Sequence, residues 1–172
     1  MPARLAIGEL PAVTDAQLAA DLADLGYLGF SHLKRKRPSR KNPADVLLSA
    51  LNAPQREARA VEALPWLLLA YPDMKWNEVT RLAKMLDLQN RLGFLVNVAS
   101  EMAEKQNNRP LANLLRSREA ALERSMLARE DTLCNENMTR AERRWLDSNR
   151  SEDAKHWRVL TSMTPQSIRY AA

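Results

Sequence analysis

Two histidines and one cysteine are the residues that could supply a general base or a strong nucleophile. Ser31 stands next to His32, and Cys134 is the thiol that His156 could activate. A nucleophile needs its base within hydrogen-bond reach, and recognisable catalytic sites add an oxyanion hole. Neither pair lies in such a motif. The sequence therefore predicts no catalytic residues, and we expect the two histidines to be surface or capping residues.

Metal and nucleotide sites are also poorly indicated. One cysteine and two distant histidines do not match the ligand spacing of a zinc site. Asp87 and the pair Glu130-Asp131 carry oxygen ligands for a hard cation, but helix capping and surface ion pairs explain them better. The four glycines are not spaced as in a phosphate-binding loop. We expect neither a metal nor a cofactor.

The clearest binding chemistry lies in a basic cluster near the N-terminus. It comprises Lys34, Arg35, Lys36, Arg37, Arg40 and Lys41. Like charges at this density repel one another and resist burial, so we expect a solvated loop or a flexible arm. Such an arm could bind nucleic-acid phosphates in a salt-sensitive way, or it could be a linker without a partner. The sequence leaves both interpretations open.

A second polar group, Gln89-Asn90-Arg91, opens a helix just after a tight joint at Leu86-Asp87. These residue types at the start of a recognition helix can read base edges in the major groove. The apolar residues from Leu92 to Val96 leave only a narrow polar face, however. A packed core helix whose polar start is capped or contacts a protein is therefore favoured. Arg116 and Arg124 on the following helix are further candidates for contact with a partner.

Helices must position these residues, because the chain has few means of making the turns of a β-rich fold. It has four glycines in 172 residues, and aromatic residues make up 5%. We predict an all-α fold, either a compact multi-helix bundle or a short helical array, with a basic N-terminal arm and a long amphipathic C-terminal helix. Three regions are expected: an N-terminal helix and arm (1–42), a helical core (43–107) and a C-terminal helical region (108–172).

Local signals mark where the helices begin and break. Capping boxes are predicted at Thr14 with Gln17 and at Thr139 with Glu142. Proline at a first helical position marks three more starts, at Pro43, Pro54 and Pro165. Pro65 predicts a kink or break in the apolar stretch that follows Pro54.

The strongest helical pattern runs from Leu88 to about Gln106, and Asp87 is positioned to cap its start. Its apolar stripe comprises Leu88, Leu92, Leu95, Val96, Ala99, Met102 and Ala103. We expect this to be the central helix of the core. A long helix rich in Arg and Glu is predicted from Pro110 to Glu130, and its charge favours a position at the surface.

Charge and hydropathy set the expected location. There are 26 Lys and Arg against 21 Asp and Glu, a net charge of +5, which suits an acidic partner without being extreme. The longest apolar run, Leu64–Tyr71, is much shorter than the roughly 20 residues of a membrane span. With no export signal and one cysteine, we expect a cytoplasmic protein without a membrane partner.

Two strings in the middle of the chain carry a family resemblance. Residues 62–73 read Glu-Ala-Leu-Pro-Trp-Leu-Leu-Leu-Ala-Tyr-Pro-Asp, and Ala83-Lys84 precedes Leu-Gln-Asn-Arg-Leu-Gly-Phe-Leu at 88–95. The chain here resembles bacterial proteins that accompany AbiEii-type nucleotidyltransferase toxins and are regarded as their antitoxins. The resemblance covers residues 45–103 best, and residues 127–133 and 141–146 more loosely.

The resemblance implies a non-catalytic role in phage defence, namely neutralisation of a toxin that transfers nucleotides. The toxin would be the protein partner, and any metal-bound nucleotide would belong to the toxin. Direct occlusion and an indirect route both remain open. In this family a helix-turn-helix domain often precedes the middle region, and residues 1–31 predict no second helix of that kind. The alternative hypothesis is a transcriptional repressor that binds DNA through the basic arm.

Overall fold

Helices make up most of the computed structural model, which describes residues 10–38 and 41–169. In chain order the helices and strands of this part are α1 (Asp15–Asp24), α2 (Pro43–Leu51), α3 (Ala58–Glu62), α4 (Leu64–Ala70), α5 (Trp76–Met85), α6 (Gln89–Lys105), α7 (Arg109–Glu123), β1 (Asp131–Thr132), α8 (Arg140–Asn149), α9 (Glu152–His156) and β2 (Val159–Leu160). Two 3-10 helices span Leu28–Leu33 and Pro165–Ser167. The predicted all-α class is confirmed.

Both capping boxes form as predicted. At the start of α1, the Thr14 hydroxyl accepts from the backbone N–H of Gln17 at 3.1 Å, and the Gln17 side chain accepts from the Thr14 N–H at 2.9 Å. Thr139 and Glu142 make the same pair of bonds at the start of α8, at 3.2 and 2.8 Å. Each box satisfies two backbone donors that the first helical turn leaves unpaired.

Helix α6 is the central helix, as its apolar stripe predicts. It packs against α7 along most of its length and also contacts α4, α5, α9 and both strands. Its side chains at Leu92, Phe94 and Leu95 are fully buried. One continuous apolar core runs from Leu18 to Ile168 and includes residues of all three predicted regions.

The chain between α2 and α4 agrees with one proline prediction and contradicts another. α3 ends at Glu62 and α4 begins at Leu64, so the break expected near Pro65 is confirmed. No helix begins at Pro54. Instead, the Arg56 N–H donates to the Cys134 carbonyl at 2.8 Å, and the Glu136 N–H donates to the Pro54 carbonyl at 3.1 Å. This pairing with a distant segment holds residues 54–57 out of a helix.

The predicted long helix to Glu130 is wrong, because α7 ends at Glu123. Asn90 of α6 binds the backbone of the following segment: its side-chain amide accepts from the Leu127 N–H at 2.8 Å and donates to the Leu127 carbonyl at 3.1 Å. Further on, β1 pairs in parallel with β2, so that Asp131 lies opposite Val159. Contacts with α6 and β2 thus replace the last helical turns.

Asp87 does not cap α6, in contrast to the prediction. It adopts a left-handed conformation with φ of 57°, and the Leu88 N–H donates to the Ala83 carbonyl at 2.8 Å. This is the geometry that closes the C-terminus of a helix. Asp87 therefore ends α5, and α6 begins without a side-chain cap.

Candidate partner-binding surface

Arg91 lies at the centre of the buried polar contacts of the molecule. Its Nε and Nη2 donate to the two carboxylate oxygens of Asp131, each at 2.9 Å, and its Nη1 donates to the carbonyls of Leu51 and Ala53 at 2.8 and 3.0 Å. Burial lowers the pKa of Arg91, but the hydrogen bond and charge of Asp131, with Cys134 and Glu136, outweigh it and raise the pKa overall. Arg91 is therefore a fixed cation that joins α2, α6 and β1.

Gln89, Asn90 and Arg91, predicted as partner contacts, are all buried. Asn90 binds the backbone at Leu127, and Arg91 binds Asp131. The polar start of α6 is thus covered by the chain's own segment 127–136. A base-reading face at this position would require that segment to leave.

A cleft of about 410 Å³ lies beside this cluster. Its lining comprises Asn52, Ala53, Pro54, Leu86, Asp87, Leu88, Arg91, Arg129, Glu130, Asp131 and Glu136. Arg129 and Asp87 form a loose ion pair across it, with 3.7 Å between nitrogen and oxygen. The carboxylate of Asp131 binds Arg91 bidentately, so this group of the cleft is already engaged within the chain.

The catalytic pairs considered from the sequence have separate surroundings. Ser31 and His32 are exposed. The His156 ring Nε2 lies 2.9 Å from Glu123, whereas the Cys134 thiol is buried against the carbonyls of Ala50 and Leu51. Within residues 10–38 and 41–169, no three His, Cys, Asp or Glu side chains are placed to hold a metal ion.

Of the two forms predicted for the basic cluster, a solvated loop or a flexible arm, the described residues 34–38 and 41 show an exposed loop. Arg35 donates to Asp21 and Asp24 through Nη1 at 3.0 and 3.1 Å, and its backbone N–H donates to Asp24 at 2.8 Å. Both carboxylates are buried, so Arg35 fixes the loop to α1. The remaining described cations, Lys34, Lys36, Arg37 and Lys41, are exposed. Arg40 lies outside the described residues.

Arg116 and Arg124 are both exposed on or just after α7. Arg116 pairs with Glu104 of α6, and Arg124 stands at the C-terminal cap of the helix. Leu114, one of the few exposed large apolar residues of the described chain, lies on the same helix. These residues are accessible to a partner but do not converge on one point.

No protein-family model, curated protein or solved structure matches this chain. No helix of the described residues is long and apolar enough to cross a membrane.

The most distinctive exposed surface is the outward face of α8. This helix has no buried residue, and Trp145 on it is 58% exposed. Arg140 and Arg144, one turn apart, are exposed, and neither makes an ion pair or hydrogen bond within the described chain. Arg144 and Trp145 are neighbours in the helix and therefore lie about 100° apart around its axis. Both side chains can face solvent on the same outward side of α8. From the sequence, Trp145 is expected to pack in the core like the other tryptophans, so its exposure contradicts that expectation. The arginines around the indole were the visible signal of an exposed position.

A groove lies on the other side of α8, between that helix, α3 and the segment after β2. We name it the α3 groove. It has a volume of about 430 Å³, and its lining combines an aliphatic floor with the carboxylates of Glu57 and Glu62 and with further polar side chains from Gln55, Asn135, Thr161, Ser162 and Ser167. The floor comprises Val61, Leu133, Leu146, Leu160 and Met163. Sequence periodicity could not reveal this groove, because its walls come from four distant segments.

Carboxyl groups gather where α6, α7 and α9 meet. Burial, the side-chain hydrogen bond with Asp153, and the nearby Glu119 together raise the pKa of Glu101, while Lys105 lowers it. Glu119 also accepts from the indole N–H of Trp157 at 3.0 Å. The junction therefore favours the protonated form of Glu101.

Proposed function

We propose that this chain is an antitoxin-like protein, without catalytic residues of its own, that neutralises a nucleotidyltransferase toxin by binding it directly. The outward face of α8 carries the proposal. Trp145 is exposed on a helix that buries no residue, beside two exposed arginines that form no ion pair within residues 10–38 and 41–169. Tryptophan and arginine are the residues most enriched at hot spots of protein interfaces. The resemblance of residues 45–103 supplies the class of partner.

The energetic argument concerns the exposed indole of Trp145. Burying its exposed part against a partner would contribute about 2–3 kcal/mol, at the usual value per unit of apolar area. Arg140 and Arg144 would add charge-assisted hydrogen bonds to carboxylates, because neither is engaged within the described chain. Arg116 and Arg124 remain possible contacts at the rim. This mode of action places the protein in the cytoplasm with its toxin, in a phage-defence system.

Co-expression with an AbiEii-type toxin encoded beside the chain tests the proposal. Tagged chain is captured after nuclease treatment, and both the co-eluting toxin and the relief of its toxicity are measured. We expect stoichiometric capture, and Trp145→Ala should weaken it about tenfold or more. Arg144→Glu should also weaken it, by introducing a like charge opposite an acidic surface.

Two matched substitutions control for loss of exposed apolar area and for charge reversal. Leu28 is 67% exposed on the first 3-10 helix, and Arg109 is exposed at the start of α7. Leu28→Ala and Arg109→Glu should leave capture unchanged. If Trp145→Ala behaved as these controls do, the toxin would not bind through α8.

Nucleic-acid binding by a repressor is the second candidate function, favoured by the fixed basic loop. Because Arg35 is held by two buried carboxylates, the loop presents Lys34, Lys36 and Arg37 without first having to be ordered. Binding through phosphates would weaken steeply as salt rises.

Neutralising the exposed cations tests this alternative. Lys34, Lys36, Arg37 and Lys41 are replaced together by Gln, and binding to a DNA duplex is titrated at several salt concentrations. Arg35 is kept, because its removal would leave buried Asp21 and Asp24 uncompensated. The salt dependence should become shallower by about one unit per lost phosphate contact. An unchanged slope would exclude this loop as the binding site.

A further inference from the structure

The charges at the α3 groove are unbalanced. Within the described chain, neither Glu57 nor Glu62 forms an ion pair or a hydrogen bond through its carboxylate. Arg56 in the groove wall cannot neutralise them, because its donors are already used. They bind the carbonyls of Ala50, Val13 and Ser49 and the carboxylate of Asp15, at 2.6 to 3.2 Å. The groove is therefore aliphatic at its floor and negative at its edge.

A second hollow adjoins the α3 groove at one end. This hollow of about 390 Å³ shares Glu62 and Ser167 with the groove and extends towards Tyr27 and Phe30. Two adjoining hollows along one short helix suit an elongated ligand, such as an amphipathic peptide helix, better than a compact small molecule. Arg59 and Arg169 line the second hollow, and the guanidinium of Arg59 lies 5.6 Å from the centre of the Phe30 ring. The negative edge therefore belongs to the first hollow, which Glu57 and Glu62 line.

We infer that the α3 groove binds a segment of a partner protein in which aliphatic side chains are flanked by lysine or arginine. The aliphatic side chains would cover the floor at Leu133, Leu146, Leu160 and Met163. The flanking cations would pair with Glu57 and Glu62. In the proposed function this partner is the toxin, and only that identification rests on the proposed function.

A pair of synthetic peptides tests the charge requirement. One peptide has leucines at helical spacing with lysines at both ends, and its twin has glutamates in place of the lysines. Both are labelled with fluorescein, and binding to the full-length chain is followed by anisotropy. The lysine peptide should bind, and the glutamate peptide should bind about tenfold more weakly or not at all, because of like-charge repulsion.

Two protein variants and a matched control locate the site. Glu57→Lys with Glu62→Lys should weaken binding of the lysine peptide about tenfold or more. Ala58→Trp fills the groove without a change of charge, at an exposed position, and should have a similar effect. Glu78→Lys with Glu152→Lys makes the same charge change at exposed positions elsewhere and should leave binding intact. Equal melting temperatures confirm that all the variants are folded.

The inference is overturned if neither peptide binds, if both bind alike, or if the rim and control variants weaken binding equally. The outcome is separable from that of the proposed function. If substitutions at Glu57, Glu62 and Ala58 did not change toxin capture, the proposed α8 interface would be retained and the α3 groove would be excluded as a binding site. If the peptides bound as expected but no toxin were captured, the groove inference would be retained and the proposed function would be rejected.

Discussion

Cys134 is a thiol enclosed by backbone. Its Sγ lies 3.6 Å from the carbonyl oxygens of both Ala50 and Leu51. Burial raises the pKa of the thiol, and the nearby cations of Arg91 and Arg56 offset this only in part. Since the thiolate is the reactive form, the folded protein should react negligibly with a disulfide reagent at neutral pH. After unfolding, a chromogenic disulfide reagent should detect one thiol per chain. Rapid reaction of the folded protein would contradict the buried position of Cys134.

Glu101 gives the protein a specific pH dependence. Its folded-state pKa is raised by burial and by the neighbouring Asp153 and Glu119, so the protonated form is favoured on folding. That contribution is complete below the ordinary glutamate pKa of about 4.3 and is lost as pH rises through the raised value. Glu101→Gln should therefore raise the melting temperature at neutral pH, and the gain should shrink towards pH 4.

A glutamate on α9 controls for this effect. Glu152 is exposed and forms a surface ion pair with Lys155, so Glu152→Gln should change the melting temperature little at any pH. If the two variants gave the same profile, the gain would come from net charge and not from the carboxyl junction.

Arg91 shows what residue-level reasoning could and could not supply. Leu88 and Leu95 stand three and four residues away from it, which places all three on one helix face. The sequence thus contained a signal that Arg91 is buried, but its charge favoured an outward position. Its partner Asp131 lies 40 residues further along the chain, and no local pattern connects the two.

Close contact between α6 and the end of α9 depends on Gly93. A Cβ built on this glycine would overlap the six-membered ring of Trp157, which is fully buried. Gly93→Ala should lower the free energy of unfolding by about 1–3 kcal/mol, because a rigid indole cannot yield without losing its own packing. Urea denaturation followed by tryptophan emission measures this change.

A double-mutant cycle tests the cause. Trp157→Leu removes the clash and should cost stability by itself through the cavity that it leaves. If the clash is the cause, Gly93→Ala should be less harmful in the Trp157→Leu background than in the wild type. Additive effects would attribute the loss to something other than the indole.

The joint between α5 and α6 offers a stabilising change. Asp87 holds a left-handed conformation, which costs an ordinary residue about 1 kcal/mol and glycine much less. The ion pair with Arg129 is exposed and long at 3.7 Å, so its loss matters little. Asp87→Gly should therefore raise the urea midpoint, whereas Asp87→Ala should not, and a lower midpoint for the glycine variant would refute this account.

Element boundaries were predictable where the signal is local. The capping boxes at Thr14 and Thr139 formed because their bonding partners lie three residues away. The predicted helix start at Pro54 and the predicted helix end at Glu130 were wrong, because distant segments of the chain bind the backbone there. Two-residue strands are too short to show a period, and so β1 and β2 went unpredicted.

One apolar core joins the N-terminal, middle and C-terminal regions of the molecule. It runs from Leu18 to Ile168, so the three regions inferred from the sequence should not unfold separately. Tryptophan emission and far-ultraviolet circular dichroism should therefore give coincident urea transitions. Trp66 and Trp157 report on α4 and the end of α9. Two separated transitions would instead support independent regions.

For the whole molecule, the fold class and the central helix could be predicted from the sequence, but the two candidate surfaces could not. The class follows from helical periodicity and scarce glycine, which the whole chain shares. The α8 face could be anticipated only in part, from the arginines around Trp145. The α3 groove could not, because Glu57, Leu133 and Met163 come together only through tertiary packing.

The contact of Trp157 with Gly93 also has a consequence for the order in which the chain is synthesised. Helix α6 leaves the ribosome well before residues 127–136 and Trp157, which later cover its polar start and the surface at Gly93. At about 5–20 residues per second, the nascent chain spends seconds with this surface bare. During that interval apolar side chains that the folded protein buries are exposed, a condition that favours aggregation.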